Sequence, residues 1–291
     1  MEKLLNWSIA NSQGDKNAIE RAGQPDPKLL AQLFGTGAPD DATLMKEAMT
    51  VALDPNASLE NKLTAMDNFE MLIENLDNAN NIENLKLWEP LLKVLEFEEA
   101  ELKSIALSIV GTAVQNNATS QSNFLKHENG LQRIIDLASD TKEDFEVRSK
   151  AFYALSNLVR NHEHMAQEFT QLDGLAIIPV VLNDKTVKTK LKMRAISLLT
   201  AYLSSVKADE RLASTLREDG VITATIGCLQ DEPSDVNTVD KVLAFLSQLI
   251  SAKIEFTKEE LSELGKGMEH IEPLKDVLNE EDYQTVRYVL K

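Results

Sequence analysis

Residues 147–160 read Val147-Arg148-Ser149-Lys150-Ala151-Phe152-Tyr153-Ala154-Leu155-Ser156-Asn157-Leu158-Val159-Arg160. Four apolar residues in this stretch, Phe152, Leu155, Leu158 and Val159, recur at the spacing of one face of an α-helix. Small residues beside them would let neighbouring helices approach closely. The pattern predicts a helix that is buried on one side.

Related patterns recur along the chain at a nearly constant interval. They begin at Ala106, Ala151, Ala195 and Val242, so the intervals are 45, 44 and 47 residues, and a more divergent copy begins at Ala65. A basic residue lies three positions before each of the first three starts: Lys103, Arg148 and Lys192. A regular interval of this kind indicates a repeat protein.

Glycines lie between one copy and the next. Gly130, Gly174 and Gly220 each precede an apolar helical segment, at intervals of 44 and 46 residues. A glycine between two helices often takes the left-handed conformation that ends the first of them. We therefore expect these three glycines to occupy left-handed positions.

The interval and the helical pattern together predict the fold. A unit of about 45 residues with two or three helices is typical of HEAT and armadillo repeats. One such unit cannot bury its own apolar stripe, so adjacent units must stack. The sequence predicts an all-α, right-handed superhelix of armadillo-like repeats with helical caps at both ends. The repeats are placed at 42–254, with units near 42–80, 81–130, 131–174, 175–220 and 221–254.

The two ends differ from the repeats. Residues 1–41 combine short helical patterns with stretches rich in Gly, Pro and Asp, which predicts a mobile N-terminal arm. Residues 255–291 predict capping helices, because Thr257 and Glu260 have the spacing of a capping box.

The charge of the chain limits its partners. The 291 residues carry a formal net charge of −17, with −10 in residues 1–100 and −7 in residues 221–291. Such a polyanion is repelled by nucleic acids and by anionic membranes, so we expect neither as a partner. The charge is also explained by solubility alone.

The chain has no set of residues that suggests catalysis. His162-Glu163-His164 is the only histidine cluster and lacks a third metal ligand, so a solvated loop explains it better than a metal site. The single cysteine, Cys228, lies in an apolar run and is expected to be a buried thiol. We expect no cofactor, no metal, no catalytic residue and no enzymatic activity. The basic run Lys185, Lys188, Lys190, Lys192 and Arg194 either contacts an acidic partner or forms a solvated face.

Partner binding is expected on the concave face, which third helices line in this architecture. If the apolar stripe at 152–159 faces the core, the side chains on the opposite side of each third helix enter the groove. A merely solvated polar face is the alternative. The predicted partner-binding residues are Asp67, Met71, Glu74, Asn75, Asn78, Ala79, Thr112, Gln115, Asn116, Tyr153, Asn157, Arg160, Asn161, Arg194, Ser197 and Ala201.

The kind of partner follows from what the groove lacks. Armadillo import adaptors hold extended basic peptides on a ladder of Trp and Asn, and the positions of the Trp ladder are Ser108, Tyr153 and Ser197 here. The two tryptophans, Trp7 and Trp88, lie outside those helices. A folded partner is therefore favoured, and a peptide-binding scaffold or transport adaptor is the alternative function.

Several segments resemble a known family over nearly the whole chain. These are the acidic, Asn-rich segment at 70–85, Gly111-Thr112-Ala113-Val114-Gln115-Asn116-Asn117, the stretch at 147–160 and the N-terminal Leu4-Leu5-Asn6-Trp7-Ser8-Ile9-Ala10. The family is the armadillo-type nucleotide-exchange factors of heat-shock protein 70 (Hsp70), known in fungi as the Fes family, and the resemblance is to its fungal cytosolic branch.

The resemblance implies a co-chaperone that grips the ATPase domain of cytosolic Hsp70, so that ADP leaves and the polypeptide substrate is released. It also implies that the N-terminal arm takes part in substrate release. There, Leu4, Leu5, Trp7 and Ile9 either mimic a chaperone client or dock on the solenoid. A relative in the endoplasmic reticulum would need a signal peptide and a retention tail, which are not seen in this sequence, so we expect a cytoplasmic monomer.

Overall fold

A computed structural model describes residues 39–291, and every regular element in that range is helical. These residues form sixteen α-helices and three short 3₁₀ helices, with no strand among them. The all-α prediction is therefore confirmed. All the repeats described below lie in the unit Met45–Lys291.

Two helices, α1 (Asp41–Leu53) and α2 (Leu59–Ile73), precede four complete three-helix repeats. Each repeat has two short helices followed by a longer third helix. In chain order these are α3 (Leu76–Asn84), α4 (Trp88–Val94) and α5 (Ala100–Val114); α6 (Ala118–Phe124), α7 (Gly130–Ser139) and α8 (Phe145–Val159); α9 (Glu163–Gln171), α10 (Ile177–Asn183) and α11 (Thr189–Leu203); and α12 (Glu210–Glu218), α13 (Val221–Gly227) and α14 (Val236–Ser251).

The third helices form the centre of the structure. We use this term for α2, α5, α8, α11 and α14, which pack against one another in chain order. The predicted stripe on α8 is confirmed, because Phe152, Leu155, Leu158 and Val159 are all fully buried. Each stripe meets its neighbours, so the repeats share one continuous apolar core.

The prediction of left-handed glycines holds only for Gly220, which has φ 73°. At the other two boundaries the preceding residue, Asn129 or Asp173, takes the left-handed conformation with φ 59° or 54°. At positions 130 and 174, glycine is required because a larger side chain would not fit between the neighbouring residues. A Cβ on Gly174 would lie 2.3 Å from the ring of Phe169, and a Cβ on Gly130 would lie 3.1 Å from that of Phe124.

A side chain caps the first helix of every complete repeat. Asn75, Asn117, His162 and Asp209 each accept a hydrogen bond from a backbone N–H in the first turn of α3, α6, α9 and α12. Each cap satisfies a backbone N–H that has no partner within its own helix.

Two helices close the C-terminal end, α15 (Lys258–His270) and α16 (Glu280–Tyr288). The predicted capping box is confirmed, since Thr257 accepts from the backbone of Glu260 and the Glu260 carboxylate accepts from the backbone of Thr257. In this cap α15 packs on α13 and α16 packs on α14.

Candidate partner-binding surface

A row of polar side chains crosses the third helices on their solvent side. We call the solvent-facing surface of α2, α5, α8 and α11 the third-helix face. The hydroxyl of Ser108 on α5 donates a hydrogen bond to the carboxylate of Glu70 on α2. Nζ of Lys150 on α8 donates to the same hydroxyl oxygen over 2.9 Å. Three neighbouring third helices are thus joined by one polar row.

Tyr153 continues this row towards α11. Its ring lies against Gly111 of α5, where a Cβ would come within 2.5 Å of ring carbon Cε1. The guanidinium carbon of Arg194 is 5.3 Å from the ring centroid, and Nζ of Lys150 is 5.7 Å from it. Cations at these distances are attracted by the negative face of an aromatic ring. The row therefore extends over four third helices.

The third-helix face changes sign along its length. Asp67 and Glu74, at its α2 end, are exposed and make no ion pair within residues 39–291. Lys150 and Arg194 place positive charge on α8 and α11, where both side chains are half-buried. Charges arranged in this way orient an approaching protein whose surface is complementary.

Most of the predicted partner-binding residues are accessible. Asn116 and Asn161 end the turns after α5 and α8 in the left-handed conformation, with φ 51° and 53°, which asparagine tolerates better than most residues. The exposed members are Asp67, Met71, Glu74, Asn75, Gln115, Asn116 and Asn161; the half-buried ones are Asn78, Thr112, Tyr153, Arg160, Arg194 and Ser197.

Three of the predicted residues lie below the surface, so their assignment to the accessible face is wrong. Ala79 is 3% exposed and Ala201 is 0% exposed, because both side chains pack into the apolar core. Asn157 is 7% exposed, and its amide nitrogen donates to the carbonyl oxygen of Tyr153 at 3.2 Å.

Sequence reasoning missed two half-buried residues of this surface, Glu70 and Lys150, and one exposed residue next to it, Leu76. Leu76 is the first residue of α3 and is 59% exposed. The same position in the next three repeats is Ala118, Glu163 and Glu210. Leu76 could have been identified from this comparison, because it is large and apolar where the other repeats have a small or charged residue. The predicted substrate-release residues Leu4, Leu5, Trp7 and Ile9 lie outside the described residues.

The basic run is mostly neutralised within the protein. Lys185 and Lys192 both donate to Asp231, at 2.7 and 2.6 Å, and Lys190 pairs with Glu146. Burial alone would raise the pKa of Asp231, but the two lysines hold it below its usual range. Of the five cations in the run, Arg194 is the one that contacts Tyr153 in the polar row.

Cys228 and His162 have structural environments. Burial raises the pKa of the Cys228 thiol to about 11, in agreement with the predicted buried thiol. His162 caps α9 through Nδ1, which accepts from the backbone N–H of Met165 at 3.1 Å, and burial lowers the pKa of its imidazole. Among residues 39–291, no helix combines the length and apolar character needed to cross a membrane.

Comparison with known proteins identifies relatives over the full length. A family model described as nucleotide exchange factor Fes1 matches residues 1–82, and one described as the SIL1/FES1/HPBP1 C-terminal domain matches residues 78–220. The chain is 65% identical over 291 residues to the Hsp70 nucleotide exchange factor FES1 of Saccharomyces cerevisiae, covering 100% of both chains. It is 61% identical to the FES1 protein of Candida glabrata, covering 99% of each.

Solved structures support the predicted architecture. A designed armadillo repeat protein, described in complex with the peptide (KR)4, matches 85% of this chain and 99% of its own with a TM-score of 0.66. The two sequences are only 14% identical, so this likeness concerns the fold alone. Together with the stacked three-helix repeats, it confirms an armadillo-like helical solenoid.

Proposed function

The chain belongs to the Fes1 family of nucleotide exchange factors, and we propose that it accelerates the release of ADP from cytosolic Hsp70. The observation that carries this proposal is the 65% identity, over the whole of both chains, to a protein named as an Hsp70 nucleotide exchange factor. In this role the protein is a co-chaperone rather than a catalyst of covalent chemistry.

The third-helix face is the surface that we assign to the ATPase domain of Hsp70. Support comes from its continuous polar row and from the change of charge between α2 and α11. A side-chain row that is fixed by neighbouring helices loses little conformational entropy on binding. The preformed surface therefore suits a folded partner whose shape and charges are complementary to it.

Exchange then follows from thermodynamic linkage. A factor that binds the nucleotide-free, open form of the ATPase domain more tightly than the ADP-bound form shifts the population towards the open form. By reciprocity, it weakens ADP binding by the same factor by which ADP weakens its own binding. ATP then enters the emptied site, and the polypeptide substrate is released. The residues of this chain need only hold the open domain.

A folded partner also fits the details of the groove better than an extended peptide. Of the three positions that would carry a Trp ladder, Ser108 is 4% exposed and its hydroxyl is already hydrogen-bonded to Glu70 and Lys150. The hydroxyl of Ser197 also has a partner within the protein, since it donates to the carbonyl oxygen of Met193 at 2.8 Å. Only Tyr153 offers an aromatic ring.

Stopped-flow release of a fluorescent ADP from Hsp70 tests the function. We expect saturating protein to accelerate release strongly, and no acceleration would overturn the proposal. Arg194→Glu should reduce the affinity for the ATPase domain, because it reverses a charge on the third-helix face. Lys93→Glu on α4 is the matched control, since Lys93 is exposed, lies on a second helix and undergoes the same change of charge.

The proposal includes a cytoplasmic location and a monomeric state. A single buried cysteine suits a reducing compartment. Fluorescence microscopy of a tagged chain tests the location, and light scattering at micromolar concentration tests the monomer. A mass of twice 32.4 kDa would contradict the monomeric state.

A further inference from the structure

The turn between α2 and α3 exposes two large apolar side chains. Met71, in the last turn of α2, is 70% exposed, and Leu76, the first residue of α3, is 59% exposed. Between them lie only the end of α2 and the two turn residues, Glu74 and Asn75. Apolar residues grouped on a surface and bordered by polar ones commonly mark a protein-binding site.

Hydrogen bonds fix the shape of this turn. The side chain of Asn78 on α3 donates to the carbonyl oxygen of Leu72 on α2 at 2.9 Å. Asn75 caps α3 by accepting from the backbone N–H of Asp77, also at 2.9 Å. Beneath them, Ala79 and Ile82 bury the inner side of α3. Met71 and Leu76 are therefore presented by a rigid segment, which reduces the entropic cost of binding.

Uncompensated acidic residues border the two apolar side chains. Asp67, Glu74 and Asp77 are exposed, and none of them forms an ion pair within residues 39–291. Three carboxylates without cations produce a negative field that attracts a basic surface. The complementary partner therefore has an apolar spot surrounded by lysine or arginine.

We infer that Met71 and Leu76 form an apolar anchor for the ATPase domain of Hsp70, at a spot of that domain bordered by basic residues. This inference rests on the proposed function and deepens it. Met71 suits such a role because an unbranched thioether side chain adapts to an irregular surface. The anchor lies at the α2 end of the third-helix face, and Arg194 lies towards the other end. Contacts at both ends would fix the orientation of the bound domain.

Variants of the full-length chain test the anchor by titration against the ATPase domain. We expect Met71→Gln combined with Leu76→Gln to weaken binding at least tenfold, because glutamine keeps the side-chain length and the helix propensity but removes the apolar surface. Val277→Gln is the matched control, since Val277 is 63% exposed near the C-terminus, away from the third-helix face. It should bind within twofold of the unaltered chain. Neither variant should shift the unfolding temperature.

A separate variant tests the three acidic residues that border the anchor. Replacing Asp67, Glu74 and Asp77 by their amides should slow association and reduce its dependence on salt, because electrostatic steering acts mainly on the association rate.

The results of these experiments distinguish failure of the anchor from failure of the proposed exchange function. If the unaltered chain accelerates ADP release and the double glutamine variant binds equally tightly, the anchor is wrong while the function stands. An unaltered chain that neither binds nor accelerates release would overturn both. If light scattering shows a dimer that only the double variant dissociates, the apolar pair joins two copies of this chain, and the anchor for Hsp70 is again wrong.

Discussion

Arg194 of α11 lies over the ring of Tyr153 of α8, with 5.3 Å between its guanidinium carbon and the ring centroid. The other side of this arrangement is Gly111 of α5, which leaves room for the ring. A residue from each of three successive repeats therefore builds one element of the third-helix face. Substitution at any of them should affect the others.

Gly111→Ala tests this arrangement through stability. The added Cβ would lie 2.5 Å from the Tyr153 ring and 3.3 Å from the Cα of Ala154, so the ring must move and the backbone is crowded. We expect a loss of about 1–3 kcal/mol in the free energy of unfolding, measured with urea. Adding Tyr153→Ser should recover part of the loss by removing the ring.

Gly265→Ala is the control for Gly111→Ala. Gly265 lies within α15, and an added Cβ meets nothing within 4 Å. Alanine should therefore stabilise this helix by about 0.5–1 kcal/mol. Equal effects of the two substitutions would contradict the close packing of Tyr153 on Gly111.

Ala79 gives a second test, because the structure reverses its expected role. With 3% exposure, its side chain is part of the core rather than of the binding surface. Ala79→Leu should cost about 1–3 kcal/mol of stability through overpacking. Ala118→Leu, at an exposed position of α6, should change stability by less than about 0.5 kcal/mol. An Ala79→Leu protein as stable as the unaltered chain would show that the site is open.

The fold was predictable because burial in a repeat protein follows helical periodicity. The stripe from Phe152 to Val159 recurs at nearly equal intervals, and each recurrence is a third helix. The reason for the glycines was not predictable in the same way. Gly130 and Gly174 are crowded by Phe124 and Phe169, which belong to the preceding helices, and a local pattern contains no information about such contacts.

The site was predictable only in part, for a related reason. Periodicity gives the direction of a side chain from its own helix, but it does not show how far a neighbouring element covers it. Tyr153 and Asn157 lie on the same side of α8, yet Tyr153 is half-buried and Asn157 is only 7% exposed. Asn157 lies near the end of the helix, where Gln121 of α6 donates to its backbone carbonyl. Leu76 begins a first helix, and the periodicity of the third helices contains no information about that position.

His162 makes stability depend on pH. Its Nδ1 caps α9 by accepting a hydrogen bond, which the protonated imidazole cannot do. Burial and, to a smaller extent, nearby His164 lower the pKa of His162 in the folded state. A lowered folded pKa means that the folded state binds fewer protons than the unfolded state. The contribution of the His162 cap to the free energy of unfolding is therefore complete above about pH 6.5. It is lost as the pH falls through the pKa of His162 in the folded state.

His162→Asn isolates this contribution. Asparagine caps α3 and α6 at the same position of their repeats and does not titrate. We expect the variant to lose less stability than the unaltered chain between about pH 7 and pH 5, with a difference of about 1 kcal/mol, the usual value of a helix cap. Urea unfolding at several pH values measures this. Parallel pH profiles would show that the cap does not titrate.

Gln121 of α6 bonds to the end of α8, the third helix of the same repeat, and its removal tests how these two helices are held together. It is 3% exposed, and its amide nitrogen lies 2.8–2.9 Å from the carbonyl oxygens of Asn157, Leu158 and Arg160. Carbonyls at the end of a helix have no partner within it, so this one side chain satisfies groups that would otherwise be buried unpaired. Gln121→Met keeps the shape but removes the donor, and we expect a loss of about 1–3 kcal/mol.

Gln121→Glu should be worse than Gln121→Met at neutral pH, because an ionised carboxylate would face carbonyl oxygens and repel them. Its destabilisation should shrink at acid pH, where a protonated glutamate can donate one hydrogen bond. Gln132→Met is the control, since the Gln132 side chain donates only to Asp136 within the same helix. Urea unfolding of the three variants at pH 7 and pH 5 measures these effects. If Gln121→Glu were as stable as Gln121→Met at pH 7, the amide could not be the donor that closes α8.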